Sequence, residues 1–235
     1  MSAPLLEIRN LQAWYGESHI LHGIDIDLSA GQLITLLGRN GAGRTTTLRA
    51  IMGMVDRRTG SIRIGGEEFI DKPAHRIAPL GRIGYCPEER GIFGSLTVGE
   101  NLMLPPTVGP GGMSLDELFT MFPNLRDVRN RMGTRLSGGE QQMLAMARIL
   151  RTGARLLLLD EITEGLAPVI VKALGLAIRS LKEKGYTIVL VEQNFRFAAP
   201  LADRHYVIEH GKVIDSFGMD ELTANQDRLN QYLSV

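Results

Sequence analysis

The sequence has little of several features that mark disulfide-rich and nucleic-acid-binding proteins. It contains a single cysteine, Cys86, which excludes an internal disulfide and fits a reducing compartment. Its 26 basic and 26 acidic side chains cancel to a net charge of zero. A general nucleic-acid binder carries a clear excess of positive charge, so we expect no nucleic-acid partner.

Long apolar runs are also missing from the sequence. No run approaches the roughly 18 residues that a membrane span needs. Residues 1–10 lack the basic start and the apolar segment of a secretory signal peptide. The chain has 235 residues, 44% of them hydrophobic, which is enough to bury the core of one large domain. We therefore expect a soluble protein, which could still dock on a membrane complex.

A glycine-rich stretch lies between a predicted strand, Leu33–Leu37, and a predicted helix that starts near residue 47. Glycines let backbone N–H groups approach phosphate oxygens, and a helix N-terminus adds partial positive charge. The sequence therefore predicts a phosphate-binding loop. Its residues are Gly38, Arg39, Asn40, Gly41, Ala42, Gly43, Arg44, Thr45 and Thr46.

Two positions in this loop decide how well it matches the phosphate-loop pattern. Thr45 stands where a hydroxyl would ligate Mg²⁺. Arg44 stands where the pattern G-x-x-x-x-G-K-[ST] has lysine. Because one motif residue differs, a plain glycine-rich turn after a strand is the alternative interpretation.

A second predicted anion site precedes a strongly helical segment. Ser137 is an N-cap candidate, Gly138 and Gly139 expose their backbone amides, and Glu140 follows in the first turn. The alternative is a plain helix cap without a ligand.

Polar residues follow three predicted buried strands. Asp160 and Glu161 come after a run of four leucines, where Asp160 could hold Mg²⁺ through water and Glu161 could orient or deprotonate an attacking water. Glu88 and Gln193 end two further strands, where ligand-facing groups gather in parallel sheets. Tyr15, before a turn, could stack on a base. For the acidic residues the alternative is a surface loop, and for Tyr15 it is an ordinary strand aromatic.

The order of predicted elements indicates an α/β fold. Antiparallel strands come first, and mostly parallel strands then alternate with helices. No strand is predicted between about residues 91 and 150, so this stretch is interpreted as a helical insertion. A last helix is predicted over residues 220–233.

Several motifs together resemble the ATP-binding subunit of an ABC transporter. The run Leu-Ser-Gly-Gly-Glu-Gln at residues 136–141 is similar to the ABC signature. The runs Tyr-Cys-Pro-Glu, Gly-Leu-Ala-Pro and Leu-Val-Glu-Gln-Asn resemble the subgroup that serves branched-chain amino-acid importers and the related amide and urea importers. The likeness runs over residues 5–233. It implies a single domain over residues 1–235, with a phosphate-loop NTPase core of about 1–90 and 151–235, an antiparallel β layer, and a helical subdomain of about 91–150.

The resemblance also implies a role for each site residue. Tyr15 takes the adenine-stacking position, Asp160 the Mg²⁺-supporting position and Glu161 that of the catalytic base. Glu88 falls where most members have a glutamine that touches Mg²⁺ and senses the membrane subunit, and Gln193 falls where most have the switch histidine. Three other positions depart from the common pattern: Arg44 replaces lysine, Ile162 replaces proline, and Ala167 replaces aspartate, the last as in the subgroup.

The function implied by this resemblance is ATP hydrolysis that powers solute import, with ATP and Mg²⁺ as cofactors. Two ATP-binding subunits, identical or different, would face head to tail, each ATP lying between the loop of one and Ser137, Gly138, Gly139 and Glu140 of the other. Transmembrane permease subunits would be direct partners and a solute-binding protein an indirect one, with the chain peripheral on the cytoplasmic face of the cell membrane.

Two alternatives remain at this point: a catalytically weakened regulatory subunit, favoured by Arg44 and Ile162, and a non-transport ABC ATPase. The loop over residues 88–96, beside the helical insertion, is predicted to meet a short helix of the membrane subunit, because Ile92 and Phe93 place two adjacent apolar residues in it. Inward packing of this pair is the alternative.

Overall fold

The computed structural model describes residues 4–221. The strands in this range, numbered β1 to β10, are Leu6–Tyr15, Ser18–Leu28, Leu33–Leu37, Arg57–Ile64, Glu67–Glu68, Ile83–Cys86, Leu156–Asp160, Thr187–Val191, Arg204–Glu209 and Lys212–Gly218. The α-helices in the same range, numbered α1 to α8, are Arg44–Ile51, Ala74–Gly81, Val98–Met103, Leu115–Met121, Pro123–Asp127, Gly138–Arg151, Pro168–Glu183 and Phe195–Ala198.

The larger sheet has the strand order β10-β9-β3-β8-β7-β6. All neighbours pair in parallel except β10, which forms a hairpin with β9. Strands β3, β7 and β8 are buried along their whole length, which explains their unbroken apolar sequences. The carboxyl ends of β3, β6, β7 and β8 lie on one edge of this sheet, where the predicted site residues begin.

A smaller antiparallel sheet, in the order β2-β1-β4-β5, covers one face of the larger sheet. Its buried residues pack with α1 and α2 against one set of side chains from the larger sheet, including Leu156 and Leu158. The alternate residues Leu157 and Leu159 face a second core with the helices. The α/β fold with an antiparallel layer, predicted from the element order, is confirmed.

The segment between β6 and β7 is helical, as predicted. Three of its helices begin with capping boxes, at Thr97, Ser114 and Ser137. The division of the chain into a core and a helical subdomain remains a proposal. Of the helix predicted over residues 220–233, the part from residue 222 to residue 233 lies outside the described range. Between residues 4 and 221, none of the helices combines the length and the apolar character required to cross a membrane.

Candidate nucleotide-binding site

The predicted phosphate loop connects β3 to α1 at the carboxyl edge of the larger sheet. Gly41 and Gly43 have φ angles of 78° and 109°, in the region that favours glycine. A Cβ atom at Gly43 would lie 2.8 Å from the Leu21 side chain, so the loop passes close to the antiparallel sheet. Among the described residues no side chain caps α1. The backbone amides at the start of this helix therefore lack side-chain acceptors, which suits an anion.

A cleft of about 430 Å³ opens beside the loop and brings together most of the predicted residues. It is lined by Tyr15, Ile20, Asn40, Gly41, Ala42, Gly43, Arg44, Thr45, Thr46, Glu88, Glu161, Glu164 and Gln193. Gly38 is buried at the end of β3 and Arg39 points to solvent, so neither lines the cleft. Ile20 and Glu164 were not predicted. The sequence signal that points to Glu164 is its position three residues after Glu161, close enough to face the same site.

Arg44 is buried, with 4% of its side chain exposed. Its Nη2 atom lies 2.8 Å from Glu161 Oε1 and 3.3 Å from Asn40 Oδ1. Its Nη1 atom is buried and has no hydrogen-bond partner among the described residues. An unpaired buried donor is costly, and a phosphate oxygen is the acceptor that a guanidinium binds well. The loop therefore fits a phosphate group with arginine in place of lysine.

Glu161 accepts hydrogen bonds on both carboxylate oxygens. Oε1 accepts from Arg44, and Oε2 accepts from Gln193 Nε2 at 2.9 Å. The backbone of Glu161 has a φ of 45°, uncommon for a residue with a side chain. Burial raises the pKa of Glu161, and the positive charge of Arg44 opposes this shift. Glu161 and Gln193 thus meet as a pair that could hold a water molecule.

Asp160 is fully buried at the end of β7. Its Oδ1 accepts a hydrogen bond from Thr45 Oγ1 at 3.0 Å, and its Oδ2 accepts one from Tyr85 Oη at 3.2 Å. Burial raises the pKa of Asp160, and these two hydrogen bonds oppose the shift. The structure therefore joins two predicted Mg²⁺-site residues directly. Tyr85, on the neighbouring strand β6, was not predicted for this site.

Glu88 lies at the mouth of the cleft with two other carboxylates. Oxygens of Glu88, Glu161 and Glu164 lie within 4.8 Å of one another. Partial burial raises the pKa of Glu88, and the nearby charge of Glu164 adds to the shift. The hydroxyl of Thr45 and the carboxylates of Asp160 and Glu88 are hard oxygen ligands of the kind that Mg²⁺ takes.

The second predicted anion site lies outside this cleft. Ser137 is the N-cap of α6, and Glu140 completes its capping box, with 2.7 Å between Ser137 N and Glu140 Oε2. A Cβ atom at Gly139 would come 2.8 Å from Ile170, so glycine allows α6 to approach α7. The plain-cap interpretation accounts for these contacts within one chain, and a ligand role for Ser137, Gly138, Gly139 and Glu140 stays a prediction.

The two residues of the predicted docking pair, Ile92 and Phe93, differ in their exposure to solvent. Ile92 is partly buried against the helical core, whereas Phe93 is 47% exposed. The Arg148 guanidinium lies 5.0 Å from the Phe93 ring centroid and also donates to the Gly91 carbonyl. Phe93 alone therefore offers an exposed apolar surface in this loop.

Residues 21–164 match the family model for the ABC transporter domain. This match covers more than half of the chain, so the chain belongs to the ABC transporter family. Its fold and its cleft agree with this assignment, and the chain is an ABC ATPase. Members of the family bind ATP.

Several curated proteins are similar over most of their length. The high-affinity branched-chain amino acid transport ATP-binding protein BraG of Pseudomonas aeruginosa is 37% identical, over 89% of this chain and 91% of BraG. The probable branched-chain amino acid transport ATP-binding protein LivF of Archaeoglobus fulgidus is 35% identical, over 94% of this chain and 95% of LivF. The lipopolysaccharide export system ATP-binding protein LptB of Haemophilus influenzae is 32% identical, over 97% of this chain and 95% of LptB.

A solved structure with the same fold is the dimeric post-hydrolysis state of the ATP-binding cassette MJ0796 with bound ADP and Pi. It has a TM-score of 0.80 and 24% identity, and the likeness covers 91% of this chain and 98% of that chain. This likeness supports the overall fold described above.

Proposed function

We propose that this ABC ATPase powers the import of branched-chain amino acids, or related amino acids and amides, through a membrane transporter. The observation that carries the ATPase part is the Thr45–Asp160 contact beside the Arg44–Glu161–Gln193 cluster. Thr45, Arg44, Glu161 and Gln193 line the cleft at the phosphate loop, and Asp160 lies buried behind Thr45. The solute is inferred from the similarity to BraG and LivF.

Each predicted residue at the cleft has a proposed role toward a bound nucleotide. The loop amides and the free Nη1 of Arg44 would hold phosphate oxygens, and Tyr15 would stack on the adenine. Thr45, Asp160 and Glu88 would hold Mg²⁺, which supplies charge stabilisation for the phosphates when bound. Glu161 would take a proton from the attacking water, and Gln193 would keep the Glu161 carboxylate in place.

The proposed assembly is a pair of ATP-binding subunits on the cytoplasmic face of a membrane, in contact with permease subunits and indirectly with a solute-binding protein. Ser137, Gly138, Gly139 and Glu140 would complete the site of the other subunit, because they lie outside the cleft of their own chain. Differential affinity of ATP for the closed pair would drive the cycle, and hydrolysis would release it.

Two other functions are supported by specific observations. Reduced turnover in a regulatory subunit is favoured by the contact that commits Glu161 to Arg44. Lipopolysaccharide export is favoured by the similarity to LptB.

The solute is tested by reconstitution in vesicles. The chain would be combined with candidate permease subunits and a candidate solute-binding protein, and ATP-dependent uptake of labelled leucine, an amide and urea would be measured. We expect uptake of one of these solutes, and none with Glu161→Gln. ATP hydrolysis without uptake of any of them would contradict the proposed solute class.

A further inference from the structure

Glu192 is a buried carboxylate to which the proposed mechanism assigns no task. It follows strand β8 directly, precedes Gln193, and is 2% exposed. Both of its oxygens accept hydrogen bonds from one residue: Oε1 lies 3.1 Å from Thr163 N, and Oε2 lies 2.8 Å from Thr163 Oγ1. A buried carboxylate is costly unless its oxygens are paired, and these two bonds offset part of that cost.

Thr163 lies two residues after Glu161, in the segment that connects β7 to α7. The Glu161 amide donates to the Val191 carbonyl at 2.9 Å, so this segment is also tied to the end of β8 on its other side. Ile162, between the two contacts, is fully buried in the helical core.

These contacts hold the backbone of Glu161 in an unfavourable conformation. Glu161 has a φ of 45°, and a residue with a side chain adopts such an angle only when its surroundings enforce it. If the Thr163 end were released, the backbone could relax and carry the Glu161 carboxylate away from Arg44 and Gln193.

We propose that Glu192 is a positioning residue that clamps Thr163 and thereby keeps the Glu161 carboxylate between Arg44 and Gln193. The inference rests on the proposed role of Glu161 as the base. Because Glu192 and Gln193 are adjacent, one strand end then supplies both the clamp on the backbone of the base and the hydrogen bond to its side chain.

Holding Thr163 requires two hydrogen bonds from the side chain at position 192 and does not require a negative charge there. Burial raises the pKa of Glu192 to about 7, the nearby charge of Glu161 adds to this shift, and Thr163 and the charge of Arg44 oppose it. Glutamine can provide both contacts without a charge, since its oxygen accepts from the Thr163 amide and its nitrogen can donate to the Thr163 hydroxyl. Leucine has a similar size and provides neither.

The test compares Glu192→Leu with Glu192→Gln in steady-state ATPase assays on the full chain. We expect kcat of Glu192→Leu to fall by roughly 10²-fold with KM unchanged, because small displacements of a reacting group cost about this much. We expect Glu192→Gln to retain most of the wild-type kcat. Provided that Glu161→Gln lowers turnover, wild-type kcat in Glu192→Leu, or equal losses in both Glu192 variants, would overturn the clamp.

A second measurement separates this inference from the proposed function. Hydrogen exchange at the Thr163 amide should be slow in the wild type and in Glu192→Gln and fast in Glu192→Leu, whether or not ATP is hydrolysed. Fast exchange in the wild type would overturn the clamp, whereas slow exchange with no effect of Glu161→Gln on turnover would contradict only the role of Glu161. Thr163→Val should lower kcat in the wild type and have no further effect in Glu192→Leu.

Discussion

Arg44 donates a charge-assisted hydrogen bond to Glu161, with 2.8 Å between Nη2 and Oε1, and the two side chains are only 4% and 10% exposed. The residue that departs from the phosphate-loop pattern is thus bonded to the residue proposed as the base. One arm of the guanidinium is committed to Glu161, and the other, Nη1, is left for a phosphate oxygen. The same cation is therefore shared between two groups that hydrolysis would need at once.

Arg44→Lys should raise turnover, with a smaller change in ATP affinity. The lysine ammonium is a compact point charge, whereas the arginine fork is wide and planar and is positioned here by Glu161. Ground-state binding of ATP tolerates the arginine fork better than the transition state of hydrolysis does, since small displacements of reacting groups can lower the rate about 10²-fold. Steady-state ATPase assays and nucleotide titrations would measure both effects.

Arg39→Lys is the matched control, because Arg39 belongs to the same loop but is exposed outside the cleft. Unchanged or lower turnover in Arg44→Lys would show that the loop works equally well with arginine.

Glu161→Gln should bind ATP and lose roughly 10²–10⁴-fold in turnover, because glutamine keeps the shape of the side chain and cannot accept the proton. Nucleotide titration and ATPase assays would measure the two properties separately. Glu89→Gln removes an exposed carboxylate and is expected to leave turnover unchanged. The assignment of Glu161 as the base would be wrong if Glu161→Gln hydrolysed ATP at the wild-type rate.

Phe93→Asp should abolish co-purification with the permease while ATP binding persists. Phe93 is exposed and lies outside the cleft, so a charge there would disturb a partner surface and spare the nucleotide site. Ile214→Asp is the control, because Ile214 is 40% exposed on β10 at the other end of the larger sheet. Co-purification that survives Phe93→Asp would refute docking through this residue.

His205 should make the wild type lose stability on acidification more steeply than a variant without this imidazole. His205 is fully buried beside Thr35, and burial lowers its pKa from 6.5 to about 4. Between these two pH values the unfolded chain binds a proton that the native chain does not. The stability from His205 is therefore complete above pH 6.5 and decreases toward pH 4, by up to about 1.4 kcal/mol per pH unit.

The measurement for His205 is urea unfolding of the wild type and His205→Gln at several pH values. The difference between their free energies of unfolding should shrink as the pH falls from 6.5 toward 4. A difference that stays constant over this range would mean that the imidazole titrates alike in the folded and unfolded chains.

Much of the fold follows from signals that are local in the sequence. The run Leu156–Asp160 indicates a buried strand by itself, and the capping box at Ser137 marks the start of α6 within four residues. The phosphate loop was predicted in the same way, from glycines between an apolar run and a helix. Such features depend on the backbone preferences and burial of neighbouring residues, so they can be inferred without the rest of the chain.

Pairings between side chains far apart in the chain could not be inferred in this way. Arg44 and Glu161 are separated by 117 positions, and Tyr85 and Asp160 by 75. The sequence indicated that each of the loop, Asp160 and Glu161 belongs to a phosphate site, but it did not indicate which atoms meet. That depends on the register of β6, β7 and β8 and on the left-handed backbone of Glu161.

The sequence by itself determined the element order, the phosphate loop and the family resemblance, because each depends on short patterns of residues. Only the tertiary structure decided that Arg44 is bonded to Glu161, that Glu192 holds Thr163, and that Ile92 packs inward while Phe93 remains exposed. These contacts arise where strand ends, loops and helices meet, and their geometry is set by packing between elements rather than by the residues on either side.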